Sequence, residues 1–172
     1  MTGEPRLETD RLLLRPWRPE EAGVQRQLWS ERDPRVPPHR RIDADGHPTV
    51  AELEDAIRRR AERPGLGLLA VVPRATGEVV GYCGLTDPEP RGERRPELAV
   101  ELLAREHGQG YATEAGAAVL EWAWAAGHSR LWATVWDWNA ASRRVLEKLG
   151  FVEIERSGRV GEATQLVMTV TP

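Results

Sequence analysis

The sequence predicts a mixed α/β fold of the α+β kind: one domain over residues 1–172, with a mostly antiparallel sheet of six to seven strands flanked by about four helices. Three observations predict it. Apolar runs of strand length are separated by turns rich in glycine and proline rather than by crossover helices. Two longer segments, 109–126 and 139–149, carry their apolar residues at helical spacing. A chain of 172 residues suffices for one well-buried core and is short for two.

The elements follow in order. Arg11 to Arg15 is a short apolar strand closed by Pro16. Pro19-Glu20-Glu21 starts a helix, with proline in the first turn and acids at the positive end of the dipole; Val24, Leu28, Gln25 and Trp29 form its inner face. Asp33 to Pro48 holds four prolines and is a long loop, either a lid on the acceptor side or a tolerated surface excursion. Thr49 caps a second helix running to Arg63, with Leu53, Ala56, Ile57 and Arg60 at helical spacing and Pro64-Gly65 at its end. Strands over 66–72 and 78–85 are joined by Arg74 to Gly77, which has hairpin chemistry. After a polar turn from Asp87 to Pro96, a third strand, Glu97 to Leu103, completes a meander. The helix over 109–126 sets Ala112, Ala115, Val119, Trp122, Ala123 and Ala126 on one stripe, and its small cluster Ala115-Gly116-Ala117-Ala118 allows close approach to a sheet. Leu131 to Trp136 is a strand. Asn139 to Leu149 is a helix with Val145, Leu146 and Leu149 inward, closed by Gly150 in the left-handed cap position. Strands over Phe151 to Ile154 and Gln165 to Val170 finish the chain around a Gly158 to Gly161 turn.

Composition excludes several function classes. The chain is 40% hydrophobic and 30% charged, with a net charge of -3, which gives no support to a nucleic-acid or anionic-membrane partner. No apolar run approaches the roughly 20 residues that span a bilayer, and no signal-peptide core is present. Cys83 is the single cysteine, so a disulfide framework within the chain is impossible and a cytoplasmic location is expected; its apolar neighbours make it a core residue rather than a nucleophile. The four histidines lack ligand spacing, so no metal is expected. Trp122, Trp124, Trp132 and Trp136 are expected to pack on the sheet, whereas Trp17, Trp29 and Trp138 stand at element ends where they either pack or line a pocket.

The stretch from Glu97 to Thr113 carries the functional signal. A strand passes through a loop with Gly108 and Gly110 and opens into an alanine-rich helix. Such a junction gathers free backbone N–H groups and the positive end of a helix dipole at one point, a receptor for phosphate oxygens. A P-loop would need Gly-Lys-Ser/Thr at its end, and Tyr111-Ala112-Thr113 stands there. A dinucleotide fingerprint would need a small residue in place of Thr113 and a carboxylate near Arg130. Both readings fail; a purely structural glycine turn remains.

His107-Gly108-Gln109-Gly110-Tyr111-Ala112-Thr113-Glu114-Ala115 resembles the acetyl-CoA loop of the GNAT acetyltransferase superfamily, Q/R-x-x-G-x-G/A, in the register His107-x-x-Gly110-x-Ala112. A second register, Arg105-x-x-Gly108-x-Gly110, keeps a basic first residue but misplaces Thr113-Glu114-Ala115. His107 departs from the usual arginine or glutamine. Asn139 to Ser142 and Leu146 to Phe151 resemble that superfamily's last helix and its Gly-Phe exit. Glu8 to Arg15 resembles the opening of the ribosomal-protein N-terminal acetyltransferase (RimJ/RimL-like) branch. Together these motifs reach over nearly the whole chain.

The resemblance implies a GNAT-like fold and acetyl transfer from acetyl-CoA, as co-substrate, to a primary amine, either a peptide N-terminus or a small molecule, in a monomer or homodimer. It implies that Gly108, Gln109, Gly110, Tyr111, Ala112 and Thr113 hold the pyrophosphate with His107 at the loop's entry. It also implies that Val100, Glu101 and Leu102 run beside the pantetheine arm, a strand N–H near Val100 or Leu102 polarising the thioester carbonyl, and that Asn139 contacts the arm. Glu97 and Glu101 share one strand face roughly 13 Å apart, at about 3.3 Å per residue, so they cannot both touch one amine. Glu97 is the expected base; either glutamate could instead lie at a solvated edge or pair with Arg94 or Arg95. The family's tyrosine acid is replaced by Leu146. Ser142 either offers a hydroxyl near the thioester or is a small packing residue. Transfer of another acyl group, and a catalytically silent acyl-CoA binding module, are the rival functions.

Overall fold

Apolar alternation builds one eight-stranded sheet, ordered β1-β2-β3-β4-β5-β6-β8-β7. The structure is a computed structural model, and it describes residues 6–62, 65, 67–86, 95–158 and 163–172. The strands are β1 (Leu7–Glu8), β2 (Leu12–Arg15), β3 (Leu68–Pro73), β4 (Gly81–Thr86), β5 (Glu97–Leu102), β6 (Leu131–Trp136), β7 (Val152–Ser157) and β8 (Gln165–Val170). All pairings are antiparallel except β5 with β6. The helices are α1 (Ala22–Ser30), α2 (Val50–Ala61), α3 (Tyr111–Ala125) and α4 (Ala140–Lys148).

The alternation sorts side chains to two faces. Leu12, Leu14, Leu69, Val71, Cys83, Leu98, Leu131, Ala133, Leu166 and Met168 form the larger core with Ala115, Val119 and Ala123 of α3 and Leu146 of α4. Burying each of these leucines contributes roughly 1.5–3 kcal/mol. On the other face Ala70, Val72 and Val79 pack with Leu13, Trp17 and Val24, and Leu53 and Ile57 of α2 close on Ala22. Thr49 and Glu52 form the reciprocal cap that starts α2. Gly116 is small because α4 lies against it: a Cβ there would fall 2.6 Å from Leu149 Cδ1.

Several elements depart from the sequence reading. β1 makes an eighth strand, and its two residues are too few to show alternation. β4 starts at Gly81 instead of residue 78, although the Val80 N–H still donates to Val71 O at 2.9 Å. β7 runs on to Ser157. α3 starts at Tyr111, not Gln109, because Gly110 turns left-handed at φ 79°. Leu66, Arg63-Pro64, the turn over 87–94 and the tip of the last hairpin lie outside the described residues.

Candidate active site

β5 and β6 meet once. Glu97 pairs with Trp132, and the Trp132 N–H donates to Pro96 O at 3.0 Å. Beyond that point no further β5–β6 pair occurs among the described residues, so the sheet opens between two parallel strands. Strand alternation decides what the opening exposes. Leu103 N–H turns the other way, to Val80 O at 2.8 Å; Val100 and Leu102 therefore turn their peptide groups to the same edge as Pro96, into the gap. The Leu102 carbonyl accepts a hydrogen bond from His107 Nε2 at 2.9 Å, so that nitrogen carries a hydrogen. Val100 keeps a free N–H at the open edge, where the sequence reading expected a carbonyl-polarising donor.

The loop past β5, where the sequence reading expects a phosphate receptor, leaves its amides bare. Gly108 and Gly110 have φ of 78° and 79°, a conformation that costs a residue with a Cβ about 1–2 kcal/mol. Gly110 is the N-cap of α3 and has no side chain to cap it. The first α3-associated amide with a partner is Glu114, bonded to Gly110 O at 3.1 Å. Among the described residues, none accepts from the six N–H groups of Gly108 to Thr113. Six unpartnered donors on an exposed loop, at the positive end of a 15-residue helix, fit a diphosphate.

A clamp that sequence reasoning missed fixes this loop. Arg11 donates to Gln109 O at 2.9 Å, lies 4.8 Å from the Tyr111 ring centroid, and grips Glu114 through Nε at 2.6 Å. Thr9 Oγ1 donates to the same carboxylate at 2.5 Å. Burial pushes the Glu114 pKa up, but the hydrogen bonds from Thr9 and Arg11 outweigh it and hold the group below the ordinary value of 4.5. Thr9, Arg11 and Glu114 were all within recognised motifs; their contact across more than 100 positions leaves no local signal.

The two glutamates part company. Both lie on one face of the strand, as expected, and it is the face opposite Leu98 and Leu102 of the main core. Glu101 is bound by Arg32 through Nε at 2.8 Å and Nη2 at 2.7 Å, and takes the Tyr82 hydroxyl at 2.6 Å. Its ion-pair partner is Arg32; Arg94, one of the partners the sequence reading named, lies outside the described residues. Glu97 accepts from Thr134 Oγ1 at 3.3 Å. Burial pushes the Glu97 pKa above 4.5, offset in part by Thr134. Thr86 opposite it on β4, Pro96 before it and Trp132 beside it line a cavity of about 1090 Å³ that runs under α1 past Tyr82, Arg32, Trp17 and Trp29. The cavity is thus lined by the neighbours of Glu97, and it continues past Trp122 and His128 at the end of α3.

The remaining candidates lie on α4 and β4. Asn139 Oδ1 accepts from Ser142 N–H at 3.1 Å and so caps α4, which commits that oxygen to the helix. Ser142 is half-buried. Leu146 is in the core at 5% exposure, so no acid stands at that helix position. Cys83 is fully buried and its thiol is pushed up to about 12, as a packing residue would be. None of Trp122, Trp124, Trp132 and Trp136 is fully buried, though Trp122 and Trp124 do pack on the main core. Of the three tryptophans left between packing and a pocket, Trp17 and Trp29 line the cavity, Trp17 also packing on the smaller core, and Trp138 stacks under Arg35, 4.0 Å away. No helix is long and apolar enough to cross a membrane, among the described residues.

A half-open mixed sheet, with β5 and β6 splayed apart and a bare helix N-terminus at the end of the gap, is the arrangement that the comparisons with known proteins meet. The acetyltransferase (GNAT) domain profile matches residues 11–152, and the chain belongs to the GNAT acetyltransferase family. Solved structures show the same fold. An acetyltransferase of the GNAT family from Bacillus anthracis superposes with a TM-score of 0.76 at 19% identity, covering 97% of this chain and 98% of its own. An acetyltransferase from Agrobacterium tumefaciens str. C58 gives 0.75 at 24% identity, with 100% and 97% covered. The ribosomal-protein-S5-alanine acetyltransferase from Vibrio fischeri gives 0.71 at 14% identity, with 98% and 97% covered. No curated protein matches significantly.

Proposed function

We propose that residues 1–172 act as one N-acetyltransferase domain that transfers the acetyl group of acetyl-CoA to a primary amine in a ternary complex. The observation that carries this reading is the joint geometry of the gap and the loop: a free Val100 N–H at the open strand edge, and six bare amides from Gly108 to Thr113 at its end. The amides would hold the diphosphate, and the arm of the coenzyme would lie along Val100, Glu101 and Leu102 in place of the missing strand pairing. Val100 N–H would then donate to the thioester oxygen and stabilise the negative charge that develops there.

Glu97 serves as the general base, directly or through water. Its carboxylate has one described hydrogen-bond partner, stands among Thr86, Pro96 and Trp132 of the cavity wall, and has a pKa raised toward working pH. It takes a proton from the ammonium; the free amine forms a C–N bond to the acetyl carbon, the nitrogen sheds its surplus proton to solvent as the C–S bond breaks, and the thiolate takes a proton from solvent or from Ser142, which solvent then reprotonates. Glu101 holds Arg32 and Tyr82 instead of reacting. The acceptor is a peptide N-terminus or a small amine, and the Vibrio fischeri likeness, with the Glu8 to Arg15 opening, favours placing the chain near the ribosomal-protein branch. A cytoplasmic setting fits a reaction fed by acetyl-CoA.

Following free CoA with peptides and small amines side by side tests this reading. Acetyl-CoA binding without thiol release on any acceptor would favour the silent binding module.

A further inference from the structure

The segment after α1 crosses the opening of the sheet from one leaf to the other. On one side Arg32 grips Glu101 of β5; on the other Arg35 stacks 4.0 Å from Trp138, just past β6. Arg32 Nη1 also donates to Arg40 O at 2.9 Å, which fixes the backbone of Arg40 beside that pair. Arg40 lies close enough to act by charge on both Tyr82 and Glu97, yet forms an ion pair with neither Glu97 nor any other described residue. Arg41 follows it, half-buried, with its Nε sealed from solvent and no hydrogen-bond partner.

Two adjacent arginines thus have no ion-pair partner among the described residues: Arg40, whose side chain is exposed, and Arg41, whose Nε is buried. The other arginines of the segment are satisfied: Arg32 by Glu101, Arg35 by Asp33 at 2.7 Å. A buried guanidinium donor without a partner is costly, and a planar carboxylate is the group that best satisfies it. Arg32, which holds Glu101, also holds the Arg40 backbone, so this arginine pair starts on the same strand face as Glu97, and a ligand carrying both an ammonium and an anion would be matched in charge to that face. We propose that Arg40 and Arg41 are specificity residues, and that the amine acceptor carries a carboxylate near the amine that they bind. This rests on the reading of Glu97 as the base of an acetyl transfer. The carboxylate has two sources, the α-carboxylate of a free amino acid or an acidic side chain beside a peptide N-terminus.

Matched acceptors distinguish them: free amino acids against their carboxamides, and tripeptides with Asp against Asn at the second position, each assayed by CoA release. One series is expected to prefer the carboxylate tenfold or more in kcat/KM, as a charge-assisted hydrogen bond would give. That preference should collapse to about unity in Arg40→Gln, while calorimetry shows acetyl-CoA affinity retained. Arg40→Lys, which keeps the charge and loses the fork, should retain part of it; together with Arg41→Gln it serves if Arg40→Gln does not fold. Equal use of carboxylate and carboxamide in both series overturns the inference, as does a preference that survives Arg40→Gln and Arg41→Gln together. Turnover of neither series with acetyl-CoA still bound also overturns it, and leaves the coenzyme site standing. Loss of acetyl-CoA binding by the wild type is the separate result that removes the parent reading.

Discussion

Arg32 holds Glu101 with two hydrogen bonds, 2.8 and 2.7 Å long, and so separates two glutamates that are equivalent by position on the strand. The Arg32 side chain is 11% exposed, so losing its partner leaves a charge poorly solvated. Glu101→Gln should therefore lower stability by about 1–3 kcal/mol, less than a fully buried pair would lose. Thermal and denaturant unfolding would check this. An unchanged melting temperature would mean that the pair is solvated and dispensable.

Glu97 answers to a different measurement. Glu97→Gln should reduce kcat/KM by about 10²- to 10⁴-fold, with little change in acetyl-CoA affinity. In the wild type the acidic limb of the kcat/KM profile should lie above the ordinary glutamate value of 4.5, because burial raises this group. The sign for stability follows. With a folded pKa above the unfolded one, the folded state binds the extra proton, so this group's contribution declines as pH rises from 4.5 through the folded value. Glu97→Gln should gain on the wild type across that interval. A wild-type limb at or below 4.5 would contradict the assignment.

Gly110 makes the turn that bares the amides. Gly110→Ala places a Cβ in a left-handed conformation at φ 79° and 3.4 Å from an Arg11 nitrogen. About 1–2 kcal/mol of strain is expected, released by rotating the loop amides away from the ligand. Acetyl-CoA should bind about tenfold more weakly by calorimetry, with a smaller effect on the melting temperature, since the loop is exposed.

Arg11 is expected to act on the same step from outside. Arg11→Ala removes the hydrogen bond to Gln109 O and the Glu114 pair. The KM for acetyl-CoA should rise severalfold while kcat changes less. Acidification should reproduce part of this: the Glu114 pKa is held below 4.5, so its stabilising contribution is present above 4.5 and disappears as pH falls through the folded value. Retention of acetyl-CoA affinity by Arg11→Ala would show the clamp to be ornamental to binding.

Local chemistry made much of this fold legible. Leu131 to Trp136 and Gln165 to Val170 alternate cleanly and are strands with the expected bounds. Thr49 with Glu52 announces α2, and Gly150, at φ 87°, closes α4. The glycine loop was legible because left-handed glycines before an alanine-rich helix are a local pattern. What escaped is what depends on contact between distant segments. A two-residue strand such as Leu7–Glu8 exists only because β2 pairs with it. The gap between β5 and β6 shows in no periodicity, since the residues on either side still alternate. The roles of Glu97 and Glu101 diverge only through Arg32, 69 positions from Glu101, and the clamp of Arg11 on Glu114 spans 103.

A crystal structure with acetyl-CoA tests the central claim most directly. The account predicts diphosphate oxygens within about 3 Å of amides between Gly108 and Thr113, the arm in the gap between β5 and β6, and the thioester oxygen at Val100 N–H. Coenzyme bound elsewhere, with those amides still bare, would contradict it.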